Sequence, residues 1–219
     1  MKVSVNPLGL TKRAKPYVWV TWVTPLLAGE DQCKFKLWNQ ANFSSKSNGD
    51  MPSDWLVKHQ SLLSEVAYGL RSEGYAVEEE DANALHLKTA AGVTLAGKPD
   101  IVALNGQGMV VDVKTGKPRA KDRAQVNLYQ ALIPSQGLHG ISQVPWGKLV
   151  YANGEVKMIA PTEVDDRFKS SVKGLMDMVA SPTPPDPTPS LHECRFCRFL
   201  DLCPHAQTEP PDATAADWL

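Results

Sequence analysis

The sequence predicts an α/β fold: a central mixed β-sheet flanked by helices, with a lobe that joins the two ends of the chain. Between residues 52 and 180, short strand-like runs alternate with stretches of helical apolar spacing. With 219 residues, of which 42% are hydrophobic, the chain can bury one core. One cysteine lies near its start and three near its end, so a site shared by all four would bring the two ends of the chain together.

Composition limits the classes of function. No run of about 18 apolar residues is present, so we expect no membrane span. The N-terminal residues lack the apolar stretch of a signal peptide, and a cytoplasmic protein is expected. The formal net charge of -1 argues against a protein that coats nucleic acid by bulk charge, although a local basic cleft is compatible with it.

The first predicted helix covers residues 24–38, with Thr24 as its N-cap and Pro25 in its first turn. Cys33 is expected near the C-terminal end of this helix. Residues 39–51 are polar and rich in turn formers, so they predict a loop.

A longer amphipathic helix is predicted for residues 52–71, with Ser53 as its cap. The apolar residues of its buried face are Leu56, Leu63, Val66 and Leu70. His59 falls on the same face, whereas Glu65 does not and is expected to be solvated.

Four strand-like runs follow, at residues 75–79, 84–89, 93–104 and 108–115. Asn105-Gly106 predicts a hairpin between the last two runs. Asn153-Gly154 predicts a second hairpin, between strands at residues 147–152 and 155–160. Helical spacing returns in residues 123–133 and 162–180.

The whole chain, residues 1–219, is predicted to form one domain. Its expected parts are a core at 52–180, a lobe at 20–50 and 190–205, a Pro-rich spacer at 181–190 and a disordered tail at 206–219. The stiff spacer can carry the last three cysteines back to the first one.

Cys194, Cys197 and Cys203 have the spacing C-x2-C-x5-C, and Cys33 could supply a fourth thiolate. In a reducing cytosol, thiols at short spacing are more often metal ligands than disulfides. Four thiolates suit zinc or an iron-sulfur cluster. Zinc sites usually pair two C-x2-C turns, so the three-plus-one pattern fits a cluster better. The alternative is unliganded cysteines in the core.

Asp100, Asp112 and Lys114 form the candidate catalytic group. Asp100 comes just before one strand of the first hairpin, and Asp112 and Lys114 lie on the next strand. Side chains alternate along a strand, so Asp112 and Lys114 share a face while Val113 points into the core. Two carboxylates and an amine are therefore expected to converge at one end of the sheet.

This group suits metal-assisted hydrolysis of phosphodiester bonds. Asp100 and Asp112, with the carbonyl of Val113, offer the oxygen ligands that Mg2+ or Mn2+ prefers. Lys114 would position the attacking water or offset developing charge. The alternative is that Asp100 is a turn residue and Lys114 a solvated strand end.

Three further residues are candidates for the same site. Gln125 and Tyr129 are four residues apart on a predicted helix and share a face, from which the amide can reach a phosphate and the phenol can contact DNA. Core packing is the alternative for Tyr129. His59 can serve as a Mn2+ ligand or as a satisfied core histidine.

Basic residues surround the candidate site, and we expect them to attract a polyanion that the carboxylates repel. They are Lys117, Arg119, Lys121 and Arg123. The alternative is a solvated charged face.

The order of these motifs resembles the RecB-like PD-(D/E)XK nucleases that carry an iron-sulfur cluster. The motifs are His59, GKPD, VDVKTG and Q-x3-Y, with Cys33 upstream and C-x2-C-x5-C downstream. The likeness spans nearly the whole chain and is greatest to the CRISPR-associated exonuclease Cas-four, with AddB-type helicase-nuclease domains as more distant relatives. Two features depart from that pattern: Asp112 stands where many such proteins have Glu, and no Pro-Arg follows Cys33.

The resemblance implies a restriction-endonuclease-like core and a [4Fe-4S] cluster on Cys33, Cys194, Cys197 and Cys203. It also implies Mg2+ or Mn2+ at His59, Asp100 and Asp112. Lys114 would be the catalytic lysine, and Gln125 with Tyr129 the accessory motif. Members of this family cut single-stranded DNA from an end, and in CRISPR systems they trim DNA before integration.

The sequence thus predicts a metal-dependent DNA exonuclease that acts on single-stranded ends, in CRISPR adaptation or in DNA repair and recombination. One alternative is a nuclease subunit that is active only with a helicase or an integrase. Another is an adaptor that binds DNA ends without cutting, although the presence of Asp100, Asp112 and Lys114 argues against it. The oligomeric state stays open.

Overall fold

The computed structural model describes residues 9–44 and 53–208. In chain order, the strands are β1 (Thr11–Lys12), β2 (Tyr17–Trp19), β3 (Phe43–Ser44), β4 (Ala76–Glu79), β5 (Leu85–Lys88), β6 (Thr94–Gly97), β7 (Ile101–Leu104), β8 (Met109–Lys114), β9 (Trp146–Tyr151) and β10 (Val156–Ile159). The helices are α1 (Val20–Leu27), α2 (Lys34–Asn42), α3 (Ser53–Ser72), α4 (Ala120–Gln136), α5 (Asp166–Ala180) and α6 (Leu191–Cys194). No helix among the described residues is long and apolar enough to cross a membrane.

The central sheet has five strands in the order β10-β9-β8-β7-β4. It is mixed, because β8 and β9 are parallel whereas the other neighbours are antiparallel. Helix α3 covers one face, where Leu63 and Leu70 pack with Val111 and Val113. Helix α4 covers the other face and packs near Val110. The predicted α/β fold, with a mixed sheet flanked by helices, is confirmed.

A second sheet, of three strands in the order β2-β6-β5, connects the N-terminal region to the core. Strand β2 runs parallel to β6, and β5 runs antiparallel to it. Val18, Val20 and Val23 are fully buried in the same hydrophobic cluster as residues of α4. Trp38 of α2 donates its indole N–H to the carbonyl of Ser181, 2.9 Å away. The Trp-rich segment before Cys33 is therefore part of the main core.

The predicted helix at residues 24–38 is wrong, because two helices, α1 and α2, share this segment. The chain turns between them at Gly29, whose φ of +71° is readily adopted only by glycine. Thr24 lies inside α1 and does not cap it. Cys33 is the N-cap residue of α2, so it precedes a helix instead of ending one.

The predicted strand at residues 93–104 is also wrong, because it is two strands in different sheets. Strand β6 belongs to the three-stranded sheet and β7 to the central one. Pro99 lies between them and has no N–H to donate to a ladder, so the chain leaves one sheet there and enters the other. This break puts Asp100 at the very start of β7.

Both predicted hairpins are present. In the first, residues 105–108 separate β7 from β8, and the N–H of Gly108 donates to the carbonyl of Asn105. The second turns at Gly154, whose φ is +87°. The side chain of Asn153 accepts the N–H of Glu155 and supports this turn.

The helices differ from expectation mainly at their ends. Helix α3 buries Leu63 and Leu70 as predicted, but Leu56 is 50% exposed. Helix α4 extends beyond residues 123–133 at both ends. Helix α5 begins later than the predicted residue 162, because Asp165 caps it by accepting the N–H of Phe168.

The loop predicted at residues 39–51 is helical as far as Asn42 and then forms β3. Residues 45–51 lie outside the described part of the chain. So do residues 209–219 of the predicted tail, including Trp218. Residues 181–190 form no helix or strand, in keeping with the predicted spacer.

Candidate active site

The two candidate carboxylates meet where β7 begins and β8 ends. Asp100 precedes β7, and its Oδ2 accepts the backbone N–H of Val113 on β8, 2.8 Å away. Asp112 lies next to Val113 and faces α4, while Val113 packs on the side of α3. The antiparallel pairing of β7 with β8 thus brings the residues of the GKPD and VDVK motifs together.

Lys114 and Gln125 complete a compact group around Asp112. The Lys114 ammonium lies 2.6 Å from Oδ2 of Asp112 and donates to Oε1 of Gln125 at 3.1 Å. The amide of Gln125 in turn donates to Oδ1 of Asp112 at 3.0 Å. Gln125 therefore fixes the carboxylate and the amine relative to each other.

Asp112 is a charged group in an unfavourable place. Its side chain is 1% exposed, and burial raises its pKa to about 7 although the Lys114 ammonium opposes the shift. The Lys114 ammonium lies against Oδ2, and among the described residues this oxygen accepts from no further group. A buried carboxylate is stabilised by a neighbouring cation, which here is the Lys114 ammonium, and a metal ion can fill the same role.

Lys114 itself stays protonated. Burial acts to lower its pKa, but the nearby carboxylates of Asp112, Asp100 and Asp122 together outweigh this effect, and the pKa of Lys114 is raised. Its amine is therefore an ammonium that can donate hydrogen bonds but cannot accept a proton.

His59 reaches the same site from α3. Its Nε2 lies 3.5 Å from Oδ2 of Asp100, and its ring stacks on Trp55 with 4.9 Å between ring centroids. The hydrogen bond to Asp100 raises the pKa of His59, while partial burial opposes the rise. His59 is neither a packed core residue nor a free surface residue, because its side chain is 14% exposed.

Tyr129 is 2% exposed and packs in the core, as the alternative interpretation predicts. Its hydroxyl accepts from the Gln125 amide at 3.2 Å and donates to the carbonyl of Lys98 at 3.2 Å. Tyr129 therefore reaches the site through Gln125, and it links that residue to the GKPD turn.

Gly97 makes this link sterically possible, and replacing it with Ala is expected to break the link. An added Cβ would lie 2.7 Å from the Tyr129 ring and 2.8 Å from Val20. We expect Gly97→Ala to lower the free energy of unfolding by about 1 to 3 kcal/mol and to reduce activity. Thermal unfolding checks this. Gly174→Ala is the control, because nothing lies within 4 Å of its added Cβ; equal stability of the two variants would refute the packing argument.

The four predicted DNA-binding residues are placed differently from one another. Arg119 is paired with Glu30 at 2.6 Å, and Arg123 is paired with Glu163. Lys117 is exposed and has no carboxylate partner among the described residues. Lys121 is half-buried, and its backbone N–H donates to Glu30. The two arginines therefore already neutralise carboxylates of the protein.

All four cysteines are free and line one small cavity, together with Phe35, Lys36, Pro189, Glu193, Leu200 and Ala206. Burial raises the pKa of the Cys197 thiol, and the neighbouring Cys33 and Cys194 contribute to the rise. Cys33 thus lies at the same cavity as the three C-terminal cysteines, but among the described residues no three of these side chains form a group that could hold a metal ion.

Glu193, which sequence reasoning missed, holds this cavity closed. Its buried carboxylate accepts the backbone N–H groups of Gln32 and Cys33 at 3.1 and 3.0 Å, and the hydroxyl of Ser190 at 3.0 Å. Glu30 continues the connection, since it accepts from Arg119 and from the N–H of Lys121 at the start of α4. The cysteine lobe is thus tied to the helix that carries Gln125.

Replacing Glu193 with Ala is expected to loosen this lobe. Two backbone N–H groups lose a charged acceptor, which lowers the free energy of local opening of the lobe by about 2 to 3 kcal/mol. The fraction of molecules with an open lobe therefore rises roughly 30-fold or more. Tryptic cleavage after Arg195 and Arg198 measures this opening. Glu155→Ala, which removes an exposed partner of Lys157, is the control; cleavage of both variants at the wild-type rate would contradict the clamp.

Asn83 was also missed. It is fully buried, and its amide donates to the carbonyls of Glu78 and Pro99 while its oxygen contacts His139 at 2.8 Å. The bond to Pro99 supports the turn that carries Asp100. A polar residue between two strand-like runs was the only sequence signal for this role, and such residues are common in loops.

The donor set fits a divalent ion of the Mg2+ type. Within residues 9–44 and 53–208, no three His, Cys, Asp or Glu side chains form a group that could hold an ion by themselves. Mg2+ commonly takes only one or two carboxylates, with water and substrate phosphate as its other ligands. Asp100 and Asp112 supply these two carboxylates.

Comparisons with known proteins assign the family. The PD-(D/E)XK nuclease superfamily matches residues 28–204, which include both carboxylates, Lys114 and all four cysteines. Seventeen chains of solved structures match. One is the crystal structure of SSO0001, with a TM-score of 0.50, 16% sequence identity and 90% of each chain covered, which supports the fold. No curated protein matches significantly. The chain belongs to the PD-(D/E)XK nuclease superfamily.

Proposed function

We propose that this protein is a Mg2+- or Mn2+-dependent deoxyribonuclease that shortens single-stranded DNA from an end. The observation that carries the proposal is the arrangement of Asp100, Lys114 and Gln125 around the buried carboxylate of Asp112. Membership of a superfamily of metal-dependent nucleases supports hydrolysis as the reaction.

Asp100 and Asp112 would hold the metal ion, with His59 beside them and the Val113 carbonyl as a further oxygen ligand. The ion, when bound, polarises the phosphoryl group and favours ionisation of a water. Gln125 holds the Asp112 carboxylate and the Lys114 amine in register. Trp55 stacks on the His59 ring and limits its rotation.

Lys114 supplies positive charge where the phosphate becomes more negative. Because its amine remains protonated, it can donate a hydrogen bond to a water or to a phosphate oxygen but cannot remove a proton. We therefore assign Lys114 to orientation and charge stabilisation.

The preference for single strands and ends, and the pathway, are proposed from the resemblance of the motifs to Cas-four and AddB-type proteins. CRISPR adaptation and DNA repair or recombination, in the cytoplasm, are the two settings that fit. In either setting the partner would be an integrase or a helicase that delivers the DNA end. A non-cleaving adaptor is the less favoured alternative, since the chain keeps every residue of the catalytic group.

We also propose a [4Fe-4S] cluster on Cys33, Cys194, Cys197 and Cys203. The shared cavity and the connection between both ends of the chain support it. The cluster would hold the C-terminal segment against the start of α2, while residues of the core carry out the reaction.

Cleavage of a 5'-labelled single strand in Mn2+ tests the proposed activity. Lys114→Ala is expected to slow cleavage at least ~100-fold, because charge stabilisation at the phosphate is lost. Lys169→Ala, on the exposed surface of α5, is the control and should cut at the wild-type rate. Equal cleavage by wild type and Lys114→Ala would refute the assignment, and wild type that binds DNA without cutting would favour the adaptor.

A further inference from the structure

The loop between Cys194 and Cys203 leaves one aromatic ring in solvent. Phe196 is 73% exposed, whereas Phe199, three residues later, is fully buried. The loop therefore has an apolar anchor of its own and does not use Phe196 for packing. A single exposed apolar side chain is common on protein surfaces, so the role of Phe196 depends on the groups around it.

Cationic and aromatic groups surround Phe196. The Arg195 guanidinium carbon lies 5.6 Å from the centre of the Phe196 ring, and the His192 ring meets it edge-on at 6.4 Å. Arg198 lies over Phe199 at 4.9 Å. Neither arginine has a carboxylate within ion-pair distance in the described part of the chain, whereas Arg119 and Arg123 do have such partners. Of these four arginines, the two without a carboxylate partner, Arg195 and Arg198, therefore lie on the cysteine lobe.

A cavity of about 510 Å³ opens beside the ring. Its lining includes Leu191, His192, Arg195, Phe196, Gln207 and Thr208. The cavity combines apolar side chains with the polar side chains of His192, Gln207 and Thr208 and the Arg195 cation. This combination is suited to a flat base attached to a phosphate. A base can stack on the phenyl face, and the guanidinium can pair with the adjacent phosphate.

We propose that Phe196 and Arg195 form a binding site for one unpaired nucleotide of single-stranded DNA. The faces of paired bases are covered within a duplex, so only a single strand can use the ring. Glu193 and Glu30 tie this lobe to the start of α4, which carries Gln125. A strand held by Phe196 is thus bound to a lobe that is connected to the helix carrying Gln125. This inference rests on the proposed function, which it deepens by naming where the strand is gripped.

Binding without cleavage tests the site. Fluorescence anisotropy of a labelled single strand, without added divalent metal, gives Kd for the full chain. Phe196→Ala is expected to weaken single-strand binding about 10-fold, and Phe196→Trp to restore it. Arg195→Ala is expected to reduce the dependence of log Kd on log salt by about 0.7. Duplex binding should change little in the Phe196 variants.

Tyr68→Ala is the matched control, because Tyr68 is also 73% exposed but lies on α3, away from the cysteine lobe. It should bind as wild type does, and the iron content of every variant should match wild type. Unchanged single-strand affinity of Phe196→Ala overturns the inference. An equal loss of affinity for duplex and single-stranded DNA in Phe196→Ala also overturns it. The same holds if Phe196→Ala binds DNA normally but no longer self-associates in sedimentation.

The two failures are distinguishable. If the wild-type protein cuts DNA and Phe196→Ala binds single strands with normal affinity, the nucleotide site is refuted and the proposed nuclease activity stands. If the wild-type protein does not cut DNA, but Phe196→Ala alone loses affinity for the single strand, the proposed activity is refuted and the binding site stands.

Discussion

Asp112→Asn is expected to slow DNA cleavage by at least ~1,000-fold, which corresponds to roughly 4 kcal/mol of lost transition-state stabilisation. The change preserves the shape of the side chain, and Asn can still accept the Gln125 amide through its Oδ1. It removes the negative charge of a buried carboxylate that lies 2.6 Å from the Lys114 ammonium. A loss of activity in Asp112→Asn would therefore result from the loss of the negative charge and not from a change in packing.

Single-turnover rates in Mn2+ and the Mn2+ affinity from calorimetry check this result together. Both should fall in Asp112→Asn and neither in Asp166→Asn, whose carboxylate is fully exposed on α5. Circular dichroism shows whether the fold survives, since Lys114 loses its charged partner. An Asp112→Asn protein that retains folded structure and more than a tenth of the wild-type rate would refute the metal-ligand role.

Cys33→Ser is expected to remove most of the iron from protein purified without oxygen. A cluster that needs four thiolates cannot be held stably by three, and Cys33 is the one proposed ligand in the N-terminal segment. The folded core should remain, because Val18, Val20 and Val23 are buried independently of the cavity. Iron analysis and the visible absorption spectrum measure the loss.

The four single variants are controls for one another. Serine at Cys33, Cys194, Cys197 or Cys203 should have the same effect, since each thiolate completes the same site. If any one of these variants keeps the iron content of the wild-type protein, that cysteine is not a ligand. A colourless wild-type protein with one zinc ion per chain would replace the cluster by zinc.

The catalytic group could be predicted from the sequence because local rules determine its geometry. Alternation along β8 puts Asp112 and Lys114 on one face, and helical spacing puts Gln125 and Tyr129 on another. A hairpin places Asp100 beside them. These rules act over a few residues, so the structure brings the five residues together.

Other features depend on contacts between distant segments and were not predictable in this way. The helix expected at residues 24–38 is interrupted because the segment packs against two different parts of the core. Glu193 acquires its role from Gln32 and Cys33, about 160 positions away. Apolar spacing around Leu56 indicates a buried face, but no element covers that end of α3 among the described residues.

A crystal soaked in Mn2+ provides the most direct measurement of the central claim, through the anomalous scattering of the metal. The account predicts one strong peak in contact with the carboxylates of both Asp100 and Asp112, beside the Lys114 ammonium. A peak that touches neither carboxylate, in protein that still cuts DNA with Mn2+, would contradict it.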